Sequence, residues 1–224
     1  MTQSRLVLLL FLSACVAGCS QSSAVPSLPE PTLPAKAPEK HSVKKIIARE
    51  PSTLIIPKVF LSKLHAQWCV ANVGDSFPMF ELPQISGEPT KLSTLFGKQA
   101  TVVIFWNADR WMSRMALDDL VNLVANEYDS QQIAVVGIAV RQPAGAVRHL
   151  LNETNATFPQ LLDTNGDALA QVGSIALPRI YVLDPKGNIV WFDIEYSEST
   201  RRELTQALSV LAESTQQLSP AISQ

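Results

Sequence analysis

The residues best placed for chemistry lie where a short apolar strand runs into a helix. Residues Thr101 to Phe105 are apolar or β-branched throughout, which predicts a strand buried on both faces. From Leu117 to Val124, apolar residues recur at i, i+3, i+4 and i+7, which is one face of a helix. The first turn of a helix offers unpaired N–H groups and a partial positive charge, which favour an anion or a thiolate. We therefore expect the functional site at this strand-to-helix turn.

The turn itself contains no cysteine, although the run from Arg110 to Ser113 occupies the start of the helix. Disulfide exchange and peroxide reduction both need a thiolate, which neither a serine hydroxyl nor a guanidinium replaces. No cysteine lies between Cys69 and the C-terminus. The turn therefore excludes dithiol chemistry. We expect Asp109 to cap the helix and to offset the charge that Arg110 brings to its positive end.

The N-terminus reads as a secretion signal, with Arg5 before an apolar core from Leu6 to Leu12. The run from Val16 to Cys19 resembles a bacterial lipobox, which implies a lipid on the Cys19 thiol and cleavage before that residue. Because Ser20 rather than Asp follows, the resemblance implies an outer membrane anchor facing the periplasm. The alternative is an ordinary signal peptide with an incidental cysteine. No other segment is long and apolar enough to span a bilayer.

Loss of the signal peptide and lipidation of Cys19 would leave Cys69 as the single free thiol, so no intramolecular disulfide is expected. Cys69 lies four residues after His65, a possible metal-ligand spacing on a helix, but two ligands are too few for a structural zinc site. We therefore expect Cys69 to be a small buried thiol, and we expect no metal and no cofactor. The formal net charge of −2 gives no electrostatic footprint for nucleic acid.

Proline is frequent after the signal peptide, which predicts a semi-rigid, extended tether that holds a domain away from the membrane. Hydrophobic residues make up 46% of the chain, enough for a sizeable core. The predicted organisation is a signal peptide (1–18), a tether (19–50), an N-terminal extension packed on the domain (51–72), the domain (73–215) and a tail (216–224).

The segment from Phe105 to Leu120 resembles the active-site segment of the thioredoxin-like fold. The similar families are the membrane-anchored thiol–disulfide oxidoreductases and the alkyl hydroperoxide reductase/thiol-specific antioxidant (redoxin) family. The oxidoreductases read F-W-A-T-W-C-P-P-C-R-x-E-x-P-x-L at this point. Phe105 and Trp106 match, whereas Arg110 and Ser113 stand at the two cysteine positions. The resemblance implies that the scaffold is kept and the dithiol is lost.

Two further segments carry the resemblance. Val73 to Leu82 resembles the opening V-G-x-x-x-P-x-F-x-L, and Gly173 to Val190 resembles G-V-x-x-x-P-x-x-F-L-I-D-x-x-G-x-I. The second segment implies that Pro178 is cis and faces the turn. The resemblance covers roughly residues 73 to 212 and implies an α/β thioredoxin-like fold, with a central mixed β-sheet flanked by helices.

Local patterns predict the remaining elements. Strands are expected over 133–140 and 158–162, and helices after Pro143, over 168–172 and within 59–68. The pair Thr200 and Glu203 matches a capping box, which predicts the start of the C-terminal helix.

Two functions remain open at this stage. The first is a redox-inactive binding or scaffold module in the envelope, whose partner is an unfolded segment or an envelope protein. Its binding surface is predicted at the degenerate turn and consists of Trp106, Trp111, Met112, Leu177 and Pro178 together with Arg110. The alternative is a thiol-dependent oxidoreductase or antioxidant that acts through Cys69, although the sequence places no helix N-terminus and no base beside that thiol. Reactivity of Cys69 in the folded protein separates the two.

Overall fold

The computed structural model describes residues 55–216. The predicted signal peptide, Cys19, the tether, the first residues of the extension and the tail after residue 216 lie outside the described residues. Within residues 55–216, no helix combines the length and apolarity that crossing a bilayer requires.

A five-stranded mixed sheet forms the centre of the domain, with strand order β5-β4-β3-β6-β7. β3 pairs in parallel with β4 and antiparallel with β6, so it lies in the middle of the sheet. A separate two-stranded hairpin precedes it. The strands are β1 (Glu81–Pro83), β2 (Pro89–Lys91), β3 (Ala100–Trp106), β4 (Ile133–Val140), β5 (Gln160–Asp163), β6 (Arg179–Leu183) and β7 (Ile189–Ile194).

Five α-helices flank the sheet. A 3-10 turn (Leu92–Leu95) precedes β3, and a π-helical turn (Val121–Ala125) continues the second helix. The helices are α1 (Lys63–Ala66), α2 (Trp111–Leu120), α3 (Ala144–Thr154), α4 (Asp167–Val172) and α5 (Glu198–Gln216). The predicted mixed sheet flanked by helices is therefore confirmed.

Side chains of β3 alternate between two apolar cores, since successive residues of a strand point to opposite faces. Val102, Ile104 and Trp106 join the core that contains buried residues of α2, α3 and α5. Val103 and Phe105 join the core that contains residues of α4 and the ring of Tyr181, among others. Because both faces are covered, every residue of β3 is buried, as the apolar run predicts.

One local prediction is confirmed and one is wrong. The short helix predicted within residues 59–68 is present as the four-residue α1, and Ser62 before it has an extended backbone. Helix α5 begins at Glu198, before the expected capping box, and the reciprocal hydrogen bonds at its start join Ser197 and Thr200. The hydroxyl of Thr200 instead donates to Asp193 at 2.7 Å, so Glu203 completes no box.

Candidate functional site

The strand-to-helix turn is held together by Asn107, the first residue after β3. Its side-chain amide donates to the carbonyl of Val140 at 2.9 Å, which ties the turn to the end of β4. Its side-chain oxygen accepts from the backbone N–H of Asp109 at 2.9 Å. Its own backbone N–H donates to Ser113 Oγ at 3.2 Å. The turn is therefore held by hydrogen bonds and not by a disulfide.

The two positions that correspond to cysteines have opposite environments. Ser113 is fully buried, and its hydroxyl is used by the turn. Arg110 is exposed and is the N-cap residue of α2, with no capping side chain. The expected cap by Asp109 is wrong, because Arg110 itself takes the cap position and the Asp109 carboxylate accepts from Gln142 Nε2 at 3.3 Å. The helix start is therefore left open beside a guanidinium.

Trp106 does not belong to a surface, which corrects its assignment to the binding patch. Its ring is fully buried, and Nε1 donates to Gln160 Oε1 at 3.0 Å. The ring shares a face of β3 with Val102 and Ile104, so it packs in the core with α2, α3 and α5 residues. Trp106 therefore contributes to stability rather than to recognition.

A groove of about 450 Å³ lies beside the turn. Its lining includes the exposed arginines Arg110 and Arg141 and the apolar side chains of Ile175 and Leu177. The Leu177–Pro178 peptide bond is cis, as the resemblance implies. Within residues 55–216, the backbone N–H and C=O of Leu177 make no hydrogen bond. The groove thus combines positive charge, apolar surface and free backbone groups.

The other predicted patch residues are not all brought to this groove. Trp111 is 67% exposed, but it lines neither this groove nor the cavity that contains Met112. Met112 is half-buried and lines a separate cavity of about 250 Å³ with Phe60 and His65. Pro178 is buried. Of the predicted patch, the structure brings only Arg110 and Leu177 together in one groove.

Ile175 is a groove residue that the sequence does not reveal. It is 66% exposed, and its φ angle is 23°, which β-branched residues adopt only rarely. An exposed apolar side chain on such a backbone is unusual on both counts. Neither feature has a signal in the sequence, because isoleucine normally indicates a buried strand or helix position.

Cys69 is only half-buried, which corrects the expectation of a buried thiol, and a positive group lies beside it. Arg179 Nη1 donates to the Cys69 sulfur at 3.5 Å, and the Cys69 thiol donates to the carbonyl oxygen of His65 at 3.4 Å. Arg179 is fully buried at the start of β6. Burial raises the pKa of the neighbouring Tyr181 to about 12, although Arg179 opposes the shift.

Among residues 55–216, no group of three or more histidine, cysteine, aspartate or glutamate side chains is arranged to hold a metal ion. The spacing of His65 and Cys69 therefore gains no third ligand from the fold.

Burial also raises the pKa of Asp193, which lines the cavity beside Met112, but a hydrogen bond from Thr200 opposes that shift.

Comparison with known proteins identifies the scaffold. A model of the AhpC/TSA family matches residues 73–192. The thiol-disulfide oxidoreductase ResA of Bacillus subtilis is 28% identical over 120 residues, which are 52% of this chain and 64% of that relative. The matched region thus spans less than two thirds of that relative's length.

Solved structures show the same thioredoxin-like fold. A solution structure of a candidate protein disulfide isomerase from Bacteroides thetaiotaomicron has a TM-score of 0.60 and 22% identity, over 66% of this chain and 94% of that chain. A thiol-disulfide oxidoreductase from Bacteroides fragilis has a TM-score of 0.53 and 23% identity, over 61% of this chain and 99% of that chain.

Proposed function

Because the chain belongs to the AhpC/TSA family, we propose that it is a thioredoxin-like envelope protein that binds extended polypeptide instead of exchanging disulfides at its turn. The observation that carries the proposal is the chemistry of the two cysteine positions. Arg110 presents a guanidinium to the groove, and Ser113 uses its hydroxyl to hold the turn. Neither side chain can attack or form a disulfide.

The groove suits an extended segment for three reasons. The free N–H and C=O of Leu177 can pair with the backbone of a partner, as in strand addition. Ile175 and Leu177 offer apolar contact at the same place. Arg110 and Arg141 outnumber the lining carboxylate of Asp109, so the groove favours acidic side chains.

A binding titration tests the groove. The probe is reduced, carboxymethylated α-lactalbumin, an unfolded and acidic chain, and the readout is fluorescence anisotropy. Ile175→Asn should weaken binding several-fold, because it removes apolar contact, and it should fold, because asparagine accepts a positive φ. Met79→Asn is the matched control, since Met79 is 51% exposed and lies outside the groove.

Salt provides a second arm of the same experiment. Binding of the acidic probe should weaken as salt rises and should weaken further in Arg110→Ala, because the arginines act through charge. Equal affinities for Ile175→Asn, Met79→Asn and the unaltered chain would show that the groove does not bind unfolded polypeptide.

Loss of dithiol chemistry is tested separately. The purified chain should not accelerate the reduction of insulin by dithiothreitol above the uncatalysed rate, with a dithiol oxidoreductase as the positive control. Acceleration that survives Cys69→Ser would contradict the assignment of Arg110 and Ser113 as inactive positions.

We place the protein at the envelope through a lipid on Cys19, a residue outside the described part of the chain. The support is the run of small residues and cysteine after an apolar core. Cys19→Ser should accumulate as an unlipidated precursor that leaves the membrane fraction. Normal cleavage and normal partitioning of that variant would overturn the lipid anchor.

A further inference from the structure

One wall of the polypeptide groove is the loop that joins α4 to β6. Four residues of this loop line the groove, namely Gly173, Ser174, Ile175 and Leu177. Within residues 55–216, neither Ile175 nor Leu177 makes a backbone hydrogen bond. The wall (residues 173–177) carries the apolar side chains and the free backbone groups on which binding depends, so its support must come from its neighbours.

Arg179 is the side chain that ties this wall to the rest of the domain. It is the first residue of β6, and it is fully buried. Its Nη2 donates to the carbonyl oxygen of Ser174 at 2.7 Å and to the carbonyl oxygen of Trp68. Its Nη1 donates to the Cys69 sulfur and to the Tyr181 hydroxyl, each at 3.5 Å. One guanidinium thus links the wall, the N-terminal extension and the start of β6.

The backbone around the guanidinium leaves it little freedom. Gly173 forms a β-bridge with Cys69. A Cβ at Gly173 would collide with the Arg179 guanidinium and with the carbonyl oxygen of Trp68. The guanidinium is therefore confined between the extension and the wall.

Stability alone does not account for an arginine at this position. No ion pair within residues 55–216 involves Arg179, and its Nε–H has no acceptor there. Burying a charge is costly, and replacing buried ionic groups with apolar side chains of similar volume is often neutral or stabilising. Both carbonyls would also keep a donor, because the Trp68 oxygen accepts from the Ser174 N–H and the Ser174 oxygen from the Ala176 N–H. Arg179 is therefore needed less for stability than to fix where the wall lies.

We propose that Arg179 is a positioning residue of the polypeptide groove, which orders the wall before an extended chain binds to Ile175 and Leu177. The inference rests on the proposed function, since Arg179 acts through the same groove. Ordering a loop during binding lowers affinity, and a loop that is ordered beforehand avoids that cost. Arg179 does not line the groove, so it acts through Ser174 and the residues that follow it.

The test compares affinity with stability in Arg179→Met. The probe is the same carboxymethylated α-lactalbumin, titrated against the full chain by fluorescence anisotropy. Binding should weaken about three- to tenfold, because the wall must then be ordered during binding, while the Tm should change little. Arg202→Met is the matched control, since it removes the same charge from an exposed position on α5. Equal affinities of Arg179→Met and Arg202→Met would overturn the proposal.

High salt separates position from charge. The effect of Arg179→Met should persist as salt rises, because salt does not screen hydrogen bonds inside the protein, whereas the effect of Arg110→Ala should fade. Disappearance of the Arg179→Met effect at high salt would show that only the charge matters and would overturn the proposal.

Hydrogen exchange separates the wall from the rest of the fold. By mass spectrometry of the full chain, exchange in peptides covering residues 173–177 should be faster in Arg179→Met than in the unaltered chain, and exchange in β3 should be unchanged. Unchanged exchange in the wall, or faster exchange in β3 as well, would overturn the positioning role.

The two measurements also distinguish this inference from the proposed function. If the unaltered chain does not bind the probe, the proposed function fails, and hydrogen exchange still decides whether Arg179 orders the wall. If the unaltered chain binds and Arg179→Met binds equally well, only the positioning role fails. If Arg179→Met does not fold, the wall of the unaltered chain must be protected from exchange, and exchange there at the unprotected rate overturns the inference.

Discussion

Replacing each of two nearby tryptophans with phenylalanine should have very different effects on stability. Trp106 is fully buried, and its indole N–H donates to Gln160 Oε1. Gln160 Nε2 already has no partner within residues 55–216, so Trp106→Phe leaves that buried amide with no hydrogen bond at all. An unsatisfied buried polar group costs about 1–3 kcal/mol. Lost packing around the smaller ring adds roughly 1–2 kcal/mol.

The matched substitution is Trp111→Phe, at a position 67% exposed. It should change the free energy of unfolding by less than about 0.5 kcal/mol, as exposed substitutions usually do. Trp106→Phe, at about 3 kcal/mol, should lower the Tm by roughly 6–12 °C. Urea unfolding of the full chain, followed by far-ultraviolet circular dichroism, avoids the change in tryptophan fluorescence.

The urea midpoints decide whether Trp106 is a structural residue. A midpoint of Trp106→Phe equal to that of the unaltered chain would refute the burial argument. A larger loss in Trp111→Phe than in Trp106→Phe would reverse the assignment of core and surface.

Three further expectations follow from other contacts. Gly137→Ala places a Cβ against the Gln160 amide, so it should displace that side chain and cost about 1–3 kcal/mol in urea unfolding; an unchanged midpoint would show that the amide moves freely. Because burial raises the folded pKa of Tyr181 from 10.0 to about 12, stability is complete below pH 10 and falls by about 1.4 kcal/mol per pH unit between those values. Tyr181→Phe should remove that share of the alkaline slope, and an unaltered slope would contradict the shift. Ser197→Ala removes the side-chain acceptor of the Thr200 N–H and should cost about 0.5–2 kcal/mol, measured as a Tm shift; no shift would mean that water caps α5 equally well.

The strands and the order of the elements could be predicted from the sequence because their signals are local. Between Thr101 and Phe105, the residues that point to either face of the strand are apolar or β-branched. Such a run is typical of a strand that is buried on both faces. Helix α3 follows Pro143 and buries a regular apolar face, as the periodicity predicts. These patterns depend on neighbours within a few residues, so one sequence contains them.

The site was harder to predict because its contacts depend on tertiary structure. Trp106 and Trp111 lie five residues apart, yet the first points into a core from β3 and the second stands exposed at the start of α2. Whether a tryptophan is buried depends on which helices or strands pack against it, and the amino-acid sequence does not give that packing directly. The positive φ of Ile175, in the loop before β6, likewise has no signal in the neighbouring sequence.

The contact between Cys69 and Arg179 shows the same limit more strongly. Cys69 and Arg179 are 110 positions apart in the chain. Nothing in the spacing of either residue indicates the other, and no local rule predicts a buried arginine without a carboxylate. The pair becomes visible only when the extension before the family segment is seen against the start of β6.

That extension bears on where the autonomously folding unit begins. The family segment starts at Val73, but Trp68 supplies an acceptor to Arg179 and also accepts the backbone N–H of Ser174 at 2.9 Å. The N–H groups of Val70 and Ala71 donate to the carbonyl of Val172 at 3.0 and 3.2 Å. A domain that began at residue 73 would keep the buried Arg179 guanidinium but would lose the Trp68 carbonyl that accepts its hydrogen bond. The segment that matches the family and the unit that folds therefore begin at different residues. Any transfer of this domain to another protein must include residues 68–72.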